Sequence, residues 1–347
     1  MYKFFIRPVL FLFNPECIHG FLINFLKVIN RIPFMKALLR LFFMSGNEHL
    51  KRNVFGLEFK NPVGLAAGFD KNAEVFDVLG SFGFAFVEIG TVTPLGQAGN
   101  PKPRLFRLKK DKAIINRMGF NNQGLAAAVS KLKRRKSKII IGGNIGKNTA
   151  TPNDKANEDY FRCFNDLFPY VDYFTVNVSC PNISDLHELQ DKDALLELLE
   201  GIQKLNRKKT NPKPVLLKIS PDLDFAQIDD TLKIIQQTKL DGIVAVNTTT
   251  SRDNLSYSEK EIKKIGNGGL SGLPLKNRST EVIKYISEKT QGKLPIIAVG
   301  GIMTAEDALE KLEAGASLVQ VYTGFIYEGP ALIKKIIHKL NTKQTKH

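Results

Sequence analysis

The chain has 347 residues, 43% of them hydrophobic and 24% charged, with three cysteines and five histidines. That composition excludes a disordered chain, and the sparse Cys17, Cys163 and Cys180 exclude a disulfide framework. The histidines are scattered, so no metal site is expected. A formal net charge of +16 calls for an anionic partner.

The first forty-six residues differ from the rest. They hold nine phenylalanines and six Lys/Arg against one carboxylate, Glu16. Asn14-Pro15-Glu16 is a helix start, with Asn as N-cap, Pro at the first helical position and an acid in the first turn. From there Ile18, Phe21, Leu22, Phe25, Leu26 and Ile29 recur at helical spacing, and Ile23 and Val28 widen the stripe beyond a normal core face. After Pro33, Phe34, Ala37, Leu38, Leu41 and Phe42 repeat the pattern, with Leu39 and Phe43 as surplus, until Gly46. The pattern predicts a hairpin of two short amphipathic helices. Crossing a bilayer takes roughly 20 uninterrupted apolar residues, and Arg7, Lys27, Arg31, Lys36 and Arg40 break every run. A basic, apolar helix pair of this kind suits an anionic membrane surface. Packing on its own domain is the alternative.

From residue 63 short apolar runs alternate with helical patterns, the signature of βα units. Eight runs stand out: Val63–Gly68, Ala85–Val92, Ile139–Ile145, Phe174–Cys180, Val215–Ser220, Gly242–Thr248, Ile296–Gly301 and Leu318–Gly324. They predict an α/β fold, a (β/α)8 TIM barrel with the helical hairpin before it. The expected units are 1–46, a barrel over 47–340 and a polar tail over 341–347. The basic run Lys131–Lys138 directly precedes the third strand and lacks aromatics, so it reads as a solvated helix end and no nucleic acid is expected. Cys17 and Cys163 read as core or interface thiols.

A barrel of this type carries its active site at the C-terminal strand ends. In order, those ends bring Asp70 and Lys71, Thr91, Asn144, Asn177 with Cys180, Lys218, Asn247 with Thr248, Gly300-Gly301, and Tyr322-Thr323. The stretch TVNVSCPNISD, residues 175–185, could alone be a strand-ending turn, or a thiol flanked by two amides. Eight converging polar ends favour a site. The paired glycines after strand seven and Thr323-Gly324 after strand eight offer backbone N–H groups to a phosphate. Lys71 and Lys218 suit a ligand that is or becomes anionic, and Asn116, Asn121, Asn144, Asn177, Asn182 and Asn247 suit a flat heterocycle. These demands describe a phosphate-bearing cofactor plus a small polar ring, and a flavin mononucleotide stacked on a small cyclic imide acid would meet them. The loop Ser184–Leu189 is placed to be a lid.

The blocks NPVGLAAGFDKN (61–72), VEIGTVTPLGQAGNPKPRLFRL (87–108), INRMGFNNQG (115–124), NVSCPN (177–182), NTT (247–249), GGLSG (268–272) and VGGI (299–302) together resemble dihydroorotate dehydrogenase over nearly the whole chain. The N-terminal helix pair is similar to that of the membrane-associated, quinone-reducing class 2. The resemblance implies an FMN enzyme that oxidises dihydroorotate to orotate in pyrimidine synthesis and passes electrons to a membrane quinone. It implies a peripheral position on the cytoplasmic side of the cell inner membrane. The runner-up is a soluble-type enzyme using fumarate or NAD.

By the resemblance, Ala67, Gly68, Lys71, Thr91, Asn144, Asn177, Lys218, Val246, Gly272, Gly301, Tyr322 and Thr323 are flavin-binding positions. Lys71, Asn116, Arg117, Met118, Gly119, Phe120, Asn177, Asn182, Asn247 and Thr248 form the substrate pocket. His19 and Arg107 line a quinone tunnel beneath the helix pair, and Cys180 is the catalytic base. Class 2 enzymes usually carry serine at that position. A thiol ionises near ~8.5 when unperturbed, far below a hydroxyl, so this chain's pH–rate profile is expected at lower pH. The family's class 2 members also often carry threonine where Val246 stands.

Overall fold

In the computed structural model, residues 2–44, 48–179 and 192–344 are described. Eight parallel strands close a barrel, each paired with its neighbours in chain order and the last with the first. They are β1 Val63–Leu65, β2 Phe86–Val92, β3 Ile140–Ile145, β4 Tyr173–Asn177, β5 Val215–Ile219, β6 Gly242–Ala245, β7 Ile296–Val299 and β8 Leu318–Val321. All eight expected runs are strands. Thr91, Asn144, Asn177 and Lys218 are among the last two residues of their strands, whereas Asp70, Lys71, Asn247, Thr248, Gly300, Gly301, Tyr322 and Thr323 follow the strand ends, so all of them gather at the mouth.

The barrel interior follows a small-against-large rule. A Cβ at Gly64 would overlap the Phe86 ring, and one at Gly142 would overlap Tyr173. Phe86, Tyr173, Leu216, Val244, Ile297 and Leu318 fill the lower barrel, with Phe59 of the antiparallel pair Arg52–Val54 and Leu57–Phe59 beneath them. A second apolar layer packs the strands against the outer helices.

The helix pair is present: α1 Pro15–Arg31 and α2 Met35–Phe43. Asn14 Oδ1 accepts from the backbone N–H of Glu16 (2.9 Å) and Cys17 (3.3 Å), as the N-cap spacing predicts. A short helical segment, Tyr2–Ile6 and Arg7–Leu10, precedes it and had no periodic signal of its own. The widened stripe divides between two surroundings. Ile23 and Leu26 enter the main core, with Ile29, Leu39 and Phe43 packed beside them. Phe21, Phe25, Leu41 and Phe42 of the same stripe face outward, 51–76% exposed. Both helices carry apolar residues on two sides, so periodicity could not say which side meets the barrel. Glu16 pairs with Arg104 (2.7 Å) and Lys27 with Glu74 (2.6 Å), pinning α1 across the barrel mouth.

Outside the barrel, Leu105–Leu108, Ala113–Asn116 and Gly269–Gly272 form a three-stranded antiparallel sheet, and Leu95–Gln97 pairs with Asn122–Gly124. The outer helices of the barrel include α3 Leu125–Leu132, α4 Ala156–Leu167, α5 Lys192–Arg207, α6 Phe225–Thr238, α7 Lys276–Lys289 and α8 Ala305–Glu313. The basic run continues from α3, and part of it is structural: Arg135 pairs with Asp172 (3.0 Å) and Lys131 with Glu74 (3.3 Å). Cys163 is buried as expected, whereas Cys17 is exposed on α1.

Candidate active site

The loop after β1 is shaped by a buried carboxylate. Asp70 Oδ1 accepts from Glu74 N (2.6 Å) and Oδ2 from Val75 N (2.9 Å). Burial outweighs those bonds and pushes its carboxyl up to about 6. Asn72 Oδ1 accepts from Gln123 N (2.9 Å), closing the loop onto the strand pair above. Lys71 between them lines the cavity and donates to Asn121 Oδ1.

The ends of β2, β3 and β4 meet through one amide network. Thr91 Oγ1 donates to Asn144 Oδ1 (2.6 Å), and Asn177 Nδ2 donates to Thr91 Oγ1 (3.0 Å). Below them Glu88, fully buried, accepts from Asn144 Nδ2 (2.8 Å), Thr175 Oγ1 (3.1 Å), Tyr173 OH (3.2 Å) and Gln320 Nε2 (2.9 Å). The other atom of that last amide, Gln320 Oε1, is buried without a protein partner, and Gln320 lines the cavity. A native fold rarely leaves such an atom idle, and its place on the cavity wall makes it a candidate ligand contact. Lys218 opposes Asn177 in the β4–β5 register and is 5% exposed.

Across the mouth, Gly301 (φ +73°) and Gly272 (φ +104°) occupy backbone conformations that side chains resist. A Cβ at Gly301 would overlap Lys276, and one at Gly324 would overlap Ile302 O. Bare backbone therefore faces the cavity between β7 and β8. Ser271 Oγ and Thr323 Oγ1 are hydrogen-bonded at 2.8 Å on the same side. Tyr322, with its hydroxyl pushed up to about 12 by burial, stays neutral there.

The far side is apolar. Leu105, Ile114 and Met303 line the cavity, and Ile114 and Met303 cluster with Tyr327 and Phe11. His19 of α1 also lines it, its ring 5.2 Å from that of Phe69. Burial, then the Lys71 charge, push the imidazole down to about 4, against a hydrogen bond with the Phe69 backbone.

The structure brings most of the expected residues to this one cavity. Ala67, Gly68, Lys71, Thr91, Asn177, Lys218, Val246, Gly272, Gly301, Tyr322 and Thr323 line it, as do Asn116, Met118, Gly119, Phe120, Asn247, Thr248 and His19. Three expected residues do not line it. Asn144 sits one layer behind, orienting Thr91 and Asn177. The Arg117 guanidinium turns away, donating to Ile265 O and Pro103 O and lying 4.7 Å from the Phe106 ring centroid. Arg107 donates to Phe13 O (3.0 Å) and lies over Phe11 at 4.4 Å, at the edge of the apolar cluster. Cys180, Asn182 and the expected lid Ser184–Leu189 lie outside the described residues. Ser179, the last described residue before them, is held by Asn247 Nδ2 through its carbonyl (3.0 Å) and hydroxyl (3.1 Å). Sequence reading missed Glu88 and Gln320. Each interrupts the apolar run of its strand, and that interruption was the available signal.

Fold and site together define a (β/α)8 protein whose mouth combines an exposed-backbone anion cradle, two lysines, an amide-rich wall and an apolar side passage. A sequence model of the family described as dihydroorotate dehydrogenase matches residues 49–343. The chain is 59% identical to the "Dihydroorotate dehydrogenase (quinone)" of Christiangramia forsetii, over 99% of each chain. It is 46% identical to the protein of the same name in Thermosynechococcus vestitus, over 98% of this chain and 96% of that one. Among solved structures, ligand-free dihydroorotate dehydrogenase from Eimeria tenella superposes with a TM-score of 0.85 at 36% identity, covering 96% of this chain and 95% of that one. The same enzyme in complex with ferulenol gives 0.84 at 35%, over 96% and 92%. The chain belongs to the dihydroorotate dehydrogenase family.

Proposed function

We propose that this protein oxidises dihydroorotate to orotate with FMN as hydride acceptor and passes the electrons to a quinone, in pyrimidine biosynthesis. The observation that carries the reading is a single cavity with a polar, lysine-bearing end and an apolar end capped by His19 of the helix pair. Close relatives named for quinone make quinone the acceptor rather than fumarate or NAD.

The family is flavin-dependent, and the residues present fit FMN. The unpartnered Gln320 Oε1 asks for a ligand donor, and Gly301 and Gly272 keep a cradle that a Cβ would strain or fill. Gly272, Gly301 and Thr323 would hold the phosphate; Ala67, Gly68, Thr91, Asn177, Lys218, Val246 and Tyr322 would surround the ring, with Asn144 acting through Thr91. When bound, the flavin supplies a two-electron acceptor. Lys218 sets a fixed positive charge where electron density accumulates, a role that needs no reorganisation during reaction. Lys71, Asn116, Asn177, Asn182, Asn247 and Thr248 orient the substrate's carboxylate and imide edges, with Met118, Gly119 and Phe120 packing beside them. Arg117 acts by bracing that loop. Cys180 takes the C5 proton.

Residues 1–46 form the quinone's access route, His19 at its inner end and Arg107 at its edge, and 47–340 form the catalytic barrel. Phe4, Phe5, Leu12, Phe13, Phe34 and Leu41 are exposed near basic residues, which suits an anionic membrane surface. Among the described residues no single helix is long and apolar enough to cross a bilayer, while the bent pair Tyr2–Leu10 and Pro15–Arg31 meets that test jointly at 117°. A peripheral site on the cytoplasmic face of the inner membrane fits these features. Co-sedimentation with anionic against neutral vesicles tests the membrane reading; equal partition to both removes the electrostatic part. Purified protein that carries no FMN overturns the cofactor reading.

A further inference from the structure

Lys311 is a fully buried lysine that the proposed chemistry does not use. It sits in the last turn of α8, Ala305–Glu313, against the first turn of α7, Lys276–Lys289. Its Nζ donates to Lys276 O (2.7 Å) and Thr280 Oγ1 (2.5 Å), and that hydroxyl lies 2.9 Å from Glu310 Oε1. Lys276 answers from the other side, its ammonium 2.7 Å from Asp307 and 2.8 Å from Glu310. Asp307 Oδ2 also accepts from the backbone of Met303 (2.9 Å) and Thr304 (2.8 Å).

Burying a lysine is costly, and an apolar residue would fill the same space without that cost. The cluster encloses one object, the loop Gly300–Met303. One face of that loop lines the cavity. The other rests on α7: a Cβ at Gly301 would come within 2.6 Å of Lys276 N, and one at Gly300 within 3.1 Å of Leu275 and 3.2 Å of Ser279. Any drift of the first turn of α7 therefore moves the cradle.

We infer that Lys311 is a positioning residue for the cofactor's phosphate, fixing the Gly300–Gly301 backbone through the first turn of α7. The inference rests on the FMN reading above. Burial pushes the Lys311 amine down to about 7, with Glu310 and Asp307 opposing and Lys276 adding to the shift. Both the ammonium and the neutral amine keep N–H donors for the carbonyl and the hydroxyl, so the clamp persists through that titration.

Riboflavin shares the flavin ring and lacks the phosphate, which separates the cradle from the ring site. Affinities of FMN and riboflavin for flavin-free, full-length protein are read from flavin fluorescence, in wild type and in Lys311→Met. Loss of the two hydrogen bonds is expected to cut the preference for FMN over riboflavin by about tenfold, with riboflavin affinity held within about twofold. Thr280→Val keeps the lysine and removes one acceptor, and is expected to shift the preference the same way by about threefold. Equal loss of both affinities, or an unchanged preference in both variants, overturns the inference. Wild-type protein that binds neither flavin overturns the FMN reading itself.

Discussion

Glu16→Gln is predicted to uncouple the two half-reactions. In the structure Glu16 ties α1 to the barrel mouth through Arg104, with Nη2–Oε1 at 2.7 Å and Nε 3.2 Å from both oxygens. Three residues further along, His19 lines the cavity. Breaking a fully buried pair by removing one partner costs about 3–5 kcal/mol. Here the Glu16 side chain keeps 18% exposure, Gln retains one acceptor, and Arg104 still donates to Asn100 O at 2.8 Å. The cost therefore falls to about 1–3 kcal/mol, which raises the population of undocked α1 roughly 5–150-fold. Hydrogen exchange of α1 amides should accelerate by that factor. Anaerobic flavin reduction by dihydroorotate should stay within about twofold, because the substrate end of the cavity is untouched, while turnover with a short-chain quinone falls. An equal fall in both half-reactions, or lost α1 protection with unchanged quinone turnover, refutes the reasoning.

Gly301→Ala forces a side chain into φ +73° against Lys276; the backbone term alone is about 1–2 kcal/mol, and titration should show FMN affinity weakened more than tenfold. Cys180→Ala should retain flavin and lose about 10²–10⁴ in turnover, whereas Cys180→Ser should move the acid limb of kcat/KM to higher pH. Lys218→Ala should slow flavin reduction by dihydroorotate in stopped flow by about 10²–10³. Acid should loosen the helix pair. His19 is held at about 4 against an ordinary 6.5; burial pulls the Glu16 carboxyl up, but Arg104 and Lys102 outweigh it and hold it below its usual value. In both cases the unfolded chain binds the extra proton. His19's contribution is thus full above about pH 6.5 and declines toward pH 4, and that of Glu16 is lost on further acidification. Thermal melts from pH 7.5 to 4 should fall accordingly, with a flatter profile in His19→Phe.

The barrel was legible because the strands are short apolar runs between helical patterns, with polar residues at or just beyond their C-terminal ends. The N-terminal helix start was equally plain, since Asn14-Pro15-Glu16 signals locally. What stayed hidden depends on tertiary contact. Ile23 and Leu26, not Phe21 and Phe25, meet the barrel because both faces of α1 are apolar. The three-stranded antiparallel sheet outside the barrel has strands of four residues each, too short to carry a period. Arg117 looked like a cavity residue by its neighbours in sequence, yet its long side chain reaches backbone carbonyls on the other side of the loop. Glu88 and Gln320 act beneath the cavity, and only the folded network gives a polar residue in an apolar strand its meaning.

The central claim is tested most directly by stopped-flow spectroscopy of the full-length protein in detergent, without oxygen. Dihydroorotate is added first, then in separate runs a short-chain quinone, fumarate or NAD. The account predicts bleaching of the flavin by dihydroorotate and rapid recovery of colour with quinone alone. Recovery with fumarate or NAD, or no bleaching by dihydroorotate, would contradict it.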